Sequence, residues 1–143
     1  MKIDKTTGEY MLLFRGPNWD KGLSPGELQQ AMNKVMAWFE GLREGGKVKA
    51  GQPLGAQGRV ISGKNGGMIA DGPFAESKEA VGGYLVLLAD NMNEAVEVAK
   101  SVPTLKYGIT VEVRPILAEC PILERHPEIV QRAKEQLWAV AAA

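Results

Sequence analysis

Residues 71–79 read Asp71-Gly72-Pro73-Phe74-Ala75-Glu76-Ser77-Lys78-Glu79, and soon afterwards the chain closes on Gly82-Gly83-Tyr84 and the apolar run Leu85-Val86-Leu87-Leu88. Asp-Gly-Pro is turn chemistry: Gly accepts φ > 0, Pro holds φ near −65°, and the Asp carboxylate can hydrogen-bond its own backbone. The run from Leu85 has no polar alternation and suits a strand covered on both faces.

Working outward, Tyr10-Met11-Leu12-Leu13-Phe14 is a second such run, bounded by Gly8 and by Gly16-Pro17-Asn18. Ser24 with Pro25 and Glu27 writes a capping box, after which Leu28, Met32, Val35, Met36, Phe39 and Leu42 recur at helical spacing as far as Gly45-Gly46. Between Lys47 and Ile69 short β-like pieces, Val48 to Ala50, Arg59 to Ile61 and Met68 to Ala70, predict hairpins with a wide loop. Asn91 and Glu94 form a second capping box for a helix carrying Ala95, Val96, Val98, Ala99 and Val102, stopped by Pro103. Ile109 to Arg114 alternates as a half-buried strand before Pro115. The order is βαββαβ, which predicts an α+β two-layer sandwich with helices on one face of a mainly antiparallel sheet. Strands apolar on both sides leave the other face in need of a cover, and a second subunit packed sheet to sheet supplies one.

The 143 residues suit one domain. Seventeen basic and seventeen acidic residues give no net field, which argues against direct nucleic-acid binding and against an anionic membrane surface. Arg43, Lys47, Lys49, Arg59 and Lys64 make a local basic excess that fits either a solvated hairpin or a phosphate or carboxylate ligand. A single cysteine, Cys120, fits a reducing compartment, and the absence of a signal-like start or of an apolar run near the ~18 residues of a membrane span makes the cytoplasm the expected location.

The 71–79 run closely resembles the DGPF signature of the YCII-related (DGPFAETKE) family, with Ser77 where Thr is usual; Gly82-Gly83-Tyr84 and Val111-Glu112-Val113-Arg114-Pro115 continue the likeness in the family's order. The resemblance spans roughly Glu9 to Ile116 and implies a ferredoxin-like βαββαβ unit that pairs into a dimeric α+β barrel, hence a homodimer. Members built on the minimal core would end near Pro115. Here residues 1–118 read as the domain and 119–143 as a helical extension, with Pro127 at N1 and a stripe of Ile129, Val130, Ala133, Leu137 and Val140.

Some members of the wider superfamily use a His-Asp pair for acid/base or lyase-type chemistry on small organic acids, and the likeness places Asp71 at or near that carboxylate. The histidine is missing: His126, the sole one, sits in the extension. Asp71 is therefore the candidate catalytic residue, as a desolvated general base, and equally a turn-capping residue. Arg114, Lys78 and Trp19 are candidate ligand-binding residues; Arg114 suits a carboxylate clamp or a glutamate pair, Lys78 and Glu76 also read as loop solvation, and Trp19 and Trp38 also read as core or interface aromatics. Gly58 to Lys64 imitates a P-loop, but Asn65 replaces the required Ser or Thr and a turn replaces the helix. One His and one Cys build no tetrahedral metal site, and no cofactor is implied. Three classes remain: an enzyme or binding protein for a small organic molecule with its pocket near Asp71; a non-catalytic accessory module, since DGPF-like domains also occur joined to sigma-factor regions; and a purely structural dimer.

Overall fold

The computed structural model describes residues 6–63, 68–73 and 80–129, and of residues 68–73 the backbone. Its elements are β1 (Thr6–Arg15), α1 (Pro25–Glu44), β2 (Val48–Pro53), β3 (Gln57–Ser62), β4 (Met68–Pro73), β5 (Val81–Leu88), α2 (Met92–Lys100), β6 (Thr110–Leu117) and α3 (Pro121–Glu124). Four strands form one sheet in the order β2-β5-β1-β6, and β3 and β4 pair as a separate two-stranded sheet. This is the ferredoxin-like α+β arrangement, with the β3–β4 hairpin inserted between its second and third strands. The chain divides into two compact units, Gly8–Pro115 and the terminal segments Met1–Thr7 with Ile116–Ala143.

The α1 start forms as its sequence dictates. Ser24 Oγ accepts from the Glu27 amide at 3.2 Å while Glu27 Oε1 accepts from the Ser24 amide at 3.0 Å, and the backbone hydrogen bond from Ser24 holds the Glu27 carboxyl below its ordinary range. At α2 only half of the expected box closes. Asn91 Oδ1 accepts from the Glu94 amide at 2.9 Å, but Glu94 reaches the Asp90 amide and Lys47 Nζ instead of the Asn91 amide. The Lys47 hydrogen bond is the larger reason the Glu94 carboxyl sits below its usual range. The helix ends at Lys100, two residues short of Val102, and Pro103 opens a 3₁₀ turn (Pro103–Tyr107).

Register decides which side of the sheet meets the helices. Tyr10 stands opposite Leu87 and Leu12 opposite Leu85, so these four point the same way. Ala95 packs with Tyr10 and Leu87, Ala99 with Leu12 and Leu85, and Leu42, Trp38, Val111 and Val113 close around them. Burying a leucine as fully as Leu12 or Leu87 is worth about 1.5–3 kcal/mol. The α1 stripe is rotated from the expected one: Ala31 is buried and Val35, Trp38 and Leu42 are half-buried, while Met32, Met36 and Phe39 are exposed. Ala31, having no bulk beyond Cβ, permits close approach on that line.

The opposite face carries Met11 and Leu13 on β1 against Val86 and Tyr84 on β5. Two ion pairs flank them, Arg15–Glu112 and Lys49–Glu9, at 2.7 and 2.8 Å. The Arg15 hydrogen bond lowers the Glu112 carboxyl below its usual range. The local basic excess is thus largely answered: Arg43 pairs with Glu40 and Lys47 with Glu94, both at 2.8 Å. Lys64 lies outside the described residues. Such exposed pairs contribute at most about 1 kcal/mol each.

The Asp-Gly-Pro stretch is strand and not turn. Asp71, Gly72 and Pro73 finish β4 opposite Arg59, Gly58 and Gln57. A two-stranded sheet has only edge strands, where a proline at the last position costs little pairing.

In the terminal unit Thr7 Oγ1 donates to the Ile116 carbonyl at 3.1 Å, Leu123 is buried, and Cys120 is half-buried at the start of α3. Pro127 begins a 3₁₀ turn to Ile129; the expected helix beyond it lies outside the described residues. No described helix is long and apolar enough to cross a membrane.

Candidate functional site

At one end of the Gly8–Pro115 unit a cleft of about 530 Å³ opens between α1 and the sheet. Its floor is the end of β1 (Phe14), the start of β5 (Gly82 to Leu85) and the end of β2 (Gly51 to Pro53); Met32, Val35, Trp38 and Phe39 of α1 form one wall, and Val102, Pro103, Thr104 and Ile109 form another. The volume falls in the range of small-molecule sites. Phe14 reaches the cleft because it continues the face that Tyr10 and Leu12 bury. Trp38 is held by its indole N–H, which donates to Ser101 Oγ at 2.7 Å; Ser101 in turn donates to the Val98 carbonyl at 2.6 Å. That chain ties α1 to the end of α2 and fixes the ring.

Trp19, at the start of a 3₁₀ turn (Trp19–Gly22), also lines the cleft. Its ring stacks on Tyr107 with centroids 5.7 Å apart and planes 23° from parallel, and Lys106 Nζ stands 5.1 Å from the Tyr107 ring centroid. Gly82 and Gly83 are explained by close approach. A Cβ on Gly82 would meet Pro17 Cβ at 3.3 Å, and one on Gly83 would meet the Gln52 carbonyl oxygen at 3.2 Å. The pair therefore lets β5 start against both the β1 exit and β2, closing the floor.

The sequence candidates do not converge. Trp19 is at the cleft. Arg114, on β6, is 69% exposed and its Nε lies 3.7 Å from Glu112 Oε2, on the sheet face away from the helices; Glu112 also takes Arg15. Lys78 lies outside the described residues, and of Asp71 the backbone alone is described. A second cavity of about 520 Å³ shares Pro17, Leu54 and Gly82 with the cleft and is lined further by Gln57 and Gly58 of β3. Gly58 pairs with Gly72, next to Asp71. His126 is exposed, with Nδ1 3.5 Å from Glu128. Among the described residues no three His, Cys, Asp or Glu side chains gather to hold a metal ion.

Sequence reasoning passed over Phe14 and Thr104 as site residues. Phe14 carried a signal, ending the apolar run of β1; Thr104 carried none. Every side chain that lines the two cavities, among the described residues, is uncharged. Such walls can strip water from a flat apolar ligand and stack on it, while the hydroxyl of Thr104 supplies a polar contact.

The chain is thus an α+β protein with a ferredoxin-like sheet and an aromatic cleft under its first helix. The sequence matches the YCII-related domain model over residues 11–119, so the chain belongs to the YCII-related family. None of the curated proteins matches it. Among solved structures it is similar to the 5-chloro-2-hydroxyhydroquinone dehydrochlorinase TftG from Burkholderia phenoliruptrix AC1100, in complex with 2,5-dihydroxybenzoquinone, with 20% identity, 73% of this chain and 90% of that chain covered, and a TM-score of 0.39.

Proposed function

We propose that this protein binds, and in its full role transforms, a small organic molecule in the cleft between α1 and the sheet. One observation carries the reading: a cavity of about 530 Å³ walled by the rings of Phe14, Trp19, Trp38 and Phe39. A wall of that composition has little structural purpose, since rings left facing open space forgo the contacts a closed core would give them. Asp71 is the proposed acid/base group. Its place on β4 beside Gly72, across from Gly58 of the second cavity, which shares Pro17, Leu54 and Gly82 with the cleft, supports that role. Lys78 is proposed as an outer ligand contact, a charge that meets a substrate's polar end; the sequence's other candidate, Arg114, stands beside Glu112 on the face away from the cleft.

The test is a thermal-shift and turnover panel of small aromatic, carbonyl and carboxylic compounds on the parent and on Asp71→Asn. A compound at a hundred times its Kd stabilises by about 2.7 kcal/mol, so the binder is expected to raise Tm by several degrees. Asp71→Asn is expected to stay folded, bind the same compound and lose turnover. A panel with no binder would leave the accessory-module reading in its place.

The protein is further proposed to be a homodimer, joined through the sheet face bearing Met11, Leu13, Tyr84 and Val86. Those side chains form an apolar centre between two ion pairs, the layout of an interface core with a polar rim. Sedimentation at micromolar concentration is expected to give twice the chain mass, and Leu13→Glu to give monomer. A parent that sediments as a folded monomer would remove the barrel.

A further inference from the structure

Thr104 is the one buried polar residue among those described, 6% exposed. It lines the cleft, and its hydroxyl makes no hydrogen bond with any described residue. A buried hydroxyl with no partner costs about 1–3 kcal/mol, and folded proteins leave few of them. Gln52 and Tyr84, which also border the cleft, pair across β2 and β5 and carry their side chains on the opposite sheet face. Nothing charged lines either cavity among the described residues. A carboxylate or phosphate entering the cleft would shed its hydration with no cation among the described lining residues to receive it.

We infer that Thr104 is the polar anchor of the cleft and that its ligand is an uncharged, planar aromatic molecule whose hydroxyl or carbonyl group meets Thr104 Oγ1. This deepens the small-molecule reading of the same cleft and rests on it. The rings of Trp19, Trp38 and Phe14 supply flat contact, and Thr104 sets which edge of the ligand turns inward. Thr104 is a positioning residue: it orients a bound molecule and takes no part in bond changes.

Three probes of one shape separate the terms: 2-naphthol, 2-methylnaphthalene and 2-naphthoate, titrated against the full chain by tryptophan fluorescence and by calorimetry. The parent is expected to bind 2-naphthol about 3- to 10-fold more tightly than 2-methylnaphthalene, the worth of one ordinary hydrogen bond, and 2-naphthoate at least about tenfold more weakly than 2-naphthol. Thr104→Val, which keeps shape and removes the hydroxyl, is expected to keep or raise Tm and to erase the naphthol preference. Thr104→Ser is expected to retain it. A clear fall in Tm for Thr104→Val would mean that the hydroxyl has a protein partner, and would overturn the anchor. Binding with an unchanged naphthol preference in Thr104→Val would overturn the anchor but leave the cleft as a small-molecule site. Tighter binding of 2-naphthoate would overturn the uncharged class, and no binding of any probe to the parent would overturn both the inference and the reading beneath it.

Discussion

Leu12→Ala is expected to lower the free energy of unfolding by about 3 kcal/mol, within the ~2–5 kcal/mol span for leucine truncations in well-packed cores. Leu12 is wholly buried and lies among Leu85, Ala99, Phe14, Trp38 and Val113, so β1, β5, β6 and both long helices meet around it. The loss has two parts, the transfer of the removed carbons and the void that rigid strands cannot refill. At about 3–4 °C per kcal/mol for a chain of this length, Tm should fall by roughly 10 °C. Met36→Ala is the contrast. Met36 is 56% exposed despite standing in the apolar repeat of α1, and its truncation should stay within about 0.5 kcal/mol. Denaturant unfolding of the two variants checks the pair; a Leu12→Ala loss under about 1 kcal/mol would mean that the core is not centred where the register puts it.

The second large effect is on binding. Trp38→Ala is expected to weaken any aromatic ligand of the cleft by about tenfold or more, because a ring contact is worth about 0.5–1.5 kcal/mol beyond the area it covers and 1.4 kcal/mol is one decade of affinity. It should also cost some stability, since the variant loses the indole bond to Ser101 and strands that hydroxyl's acceptor capacity. Trp38→Phe separates the two: the ring remains and the Ser101 bond goes. Calorimetry should find Trp38→Phe near the parent in affinity and between parent and Trp38→Ala in Tm. Equal affinity for all three proteins would place the ligand away from this wall.

Much of the fold was written locally. Ser24, Pro25 and Glu27 specify the α1 start through bonds among neighbours, so the capping box needs no tertiary partner. The apolar runs at Tyr10–Phe14 and Leu85–Leu88 mark strands, and they became the two central strands of the sheet. Gly82-Gly83 was legible as a motif, and its reason, the approach of Pro17 and Gln52, emerged only with β1 and β2 in place.

What the tertiary structure alone decided is which of two equal-looking faces a residue occupies. Periodicity gives α1 a stripe through Met32, Met36 and Phe39 but does not say where the sheet lies, and the sheet meets the line through Ala31 and Trp38 instead. Asp71-Gly72-Pro73 has turn chemistry, yet pairing with β3 draws it into an edge strand. Arg114 alternates onto the face of Glu112 and Arg15, away from the cleft, because its neighbours Val111 and Val113 go to the core. Thr104 is an ordinary threonine until Pro103 turns the chain under α1 and removes it from water. Local bonds and patterns are set by residues near in sequence, whereas burial and the company a side chain keeps are set by segments about fifty residues and more away, which no single stretch records.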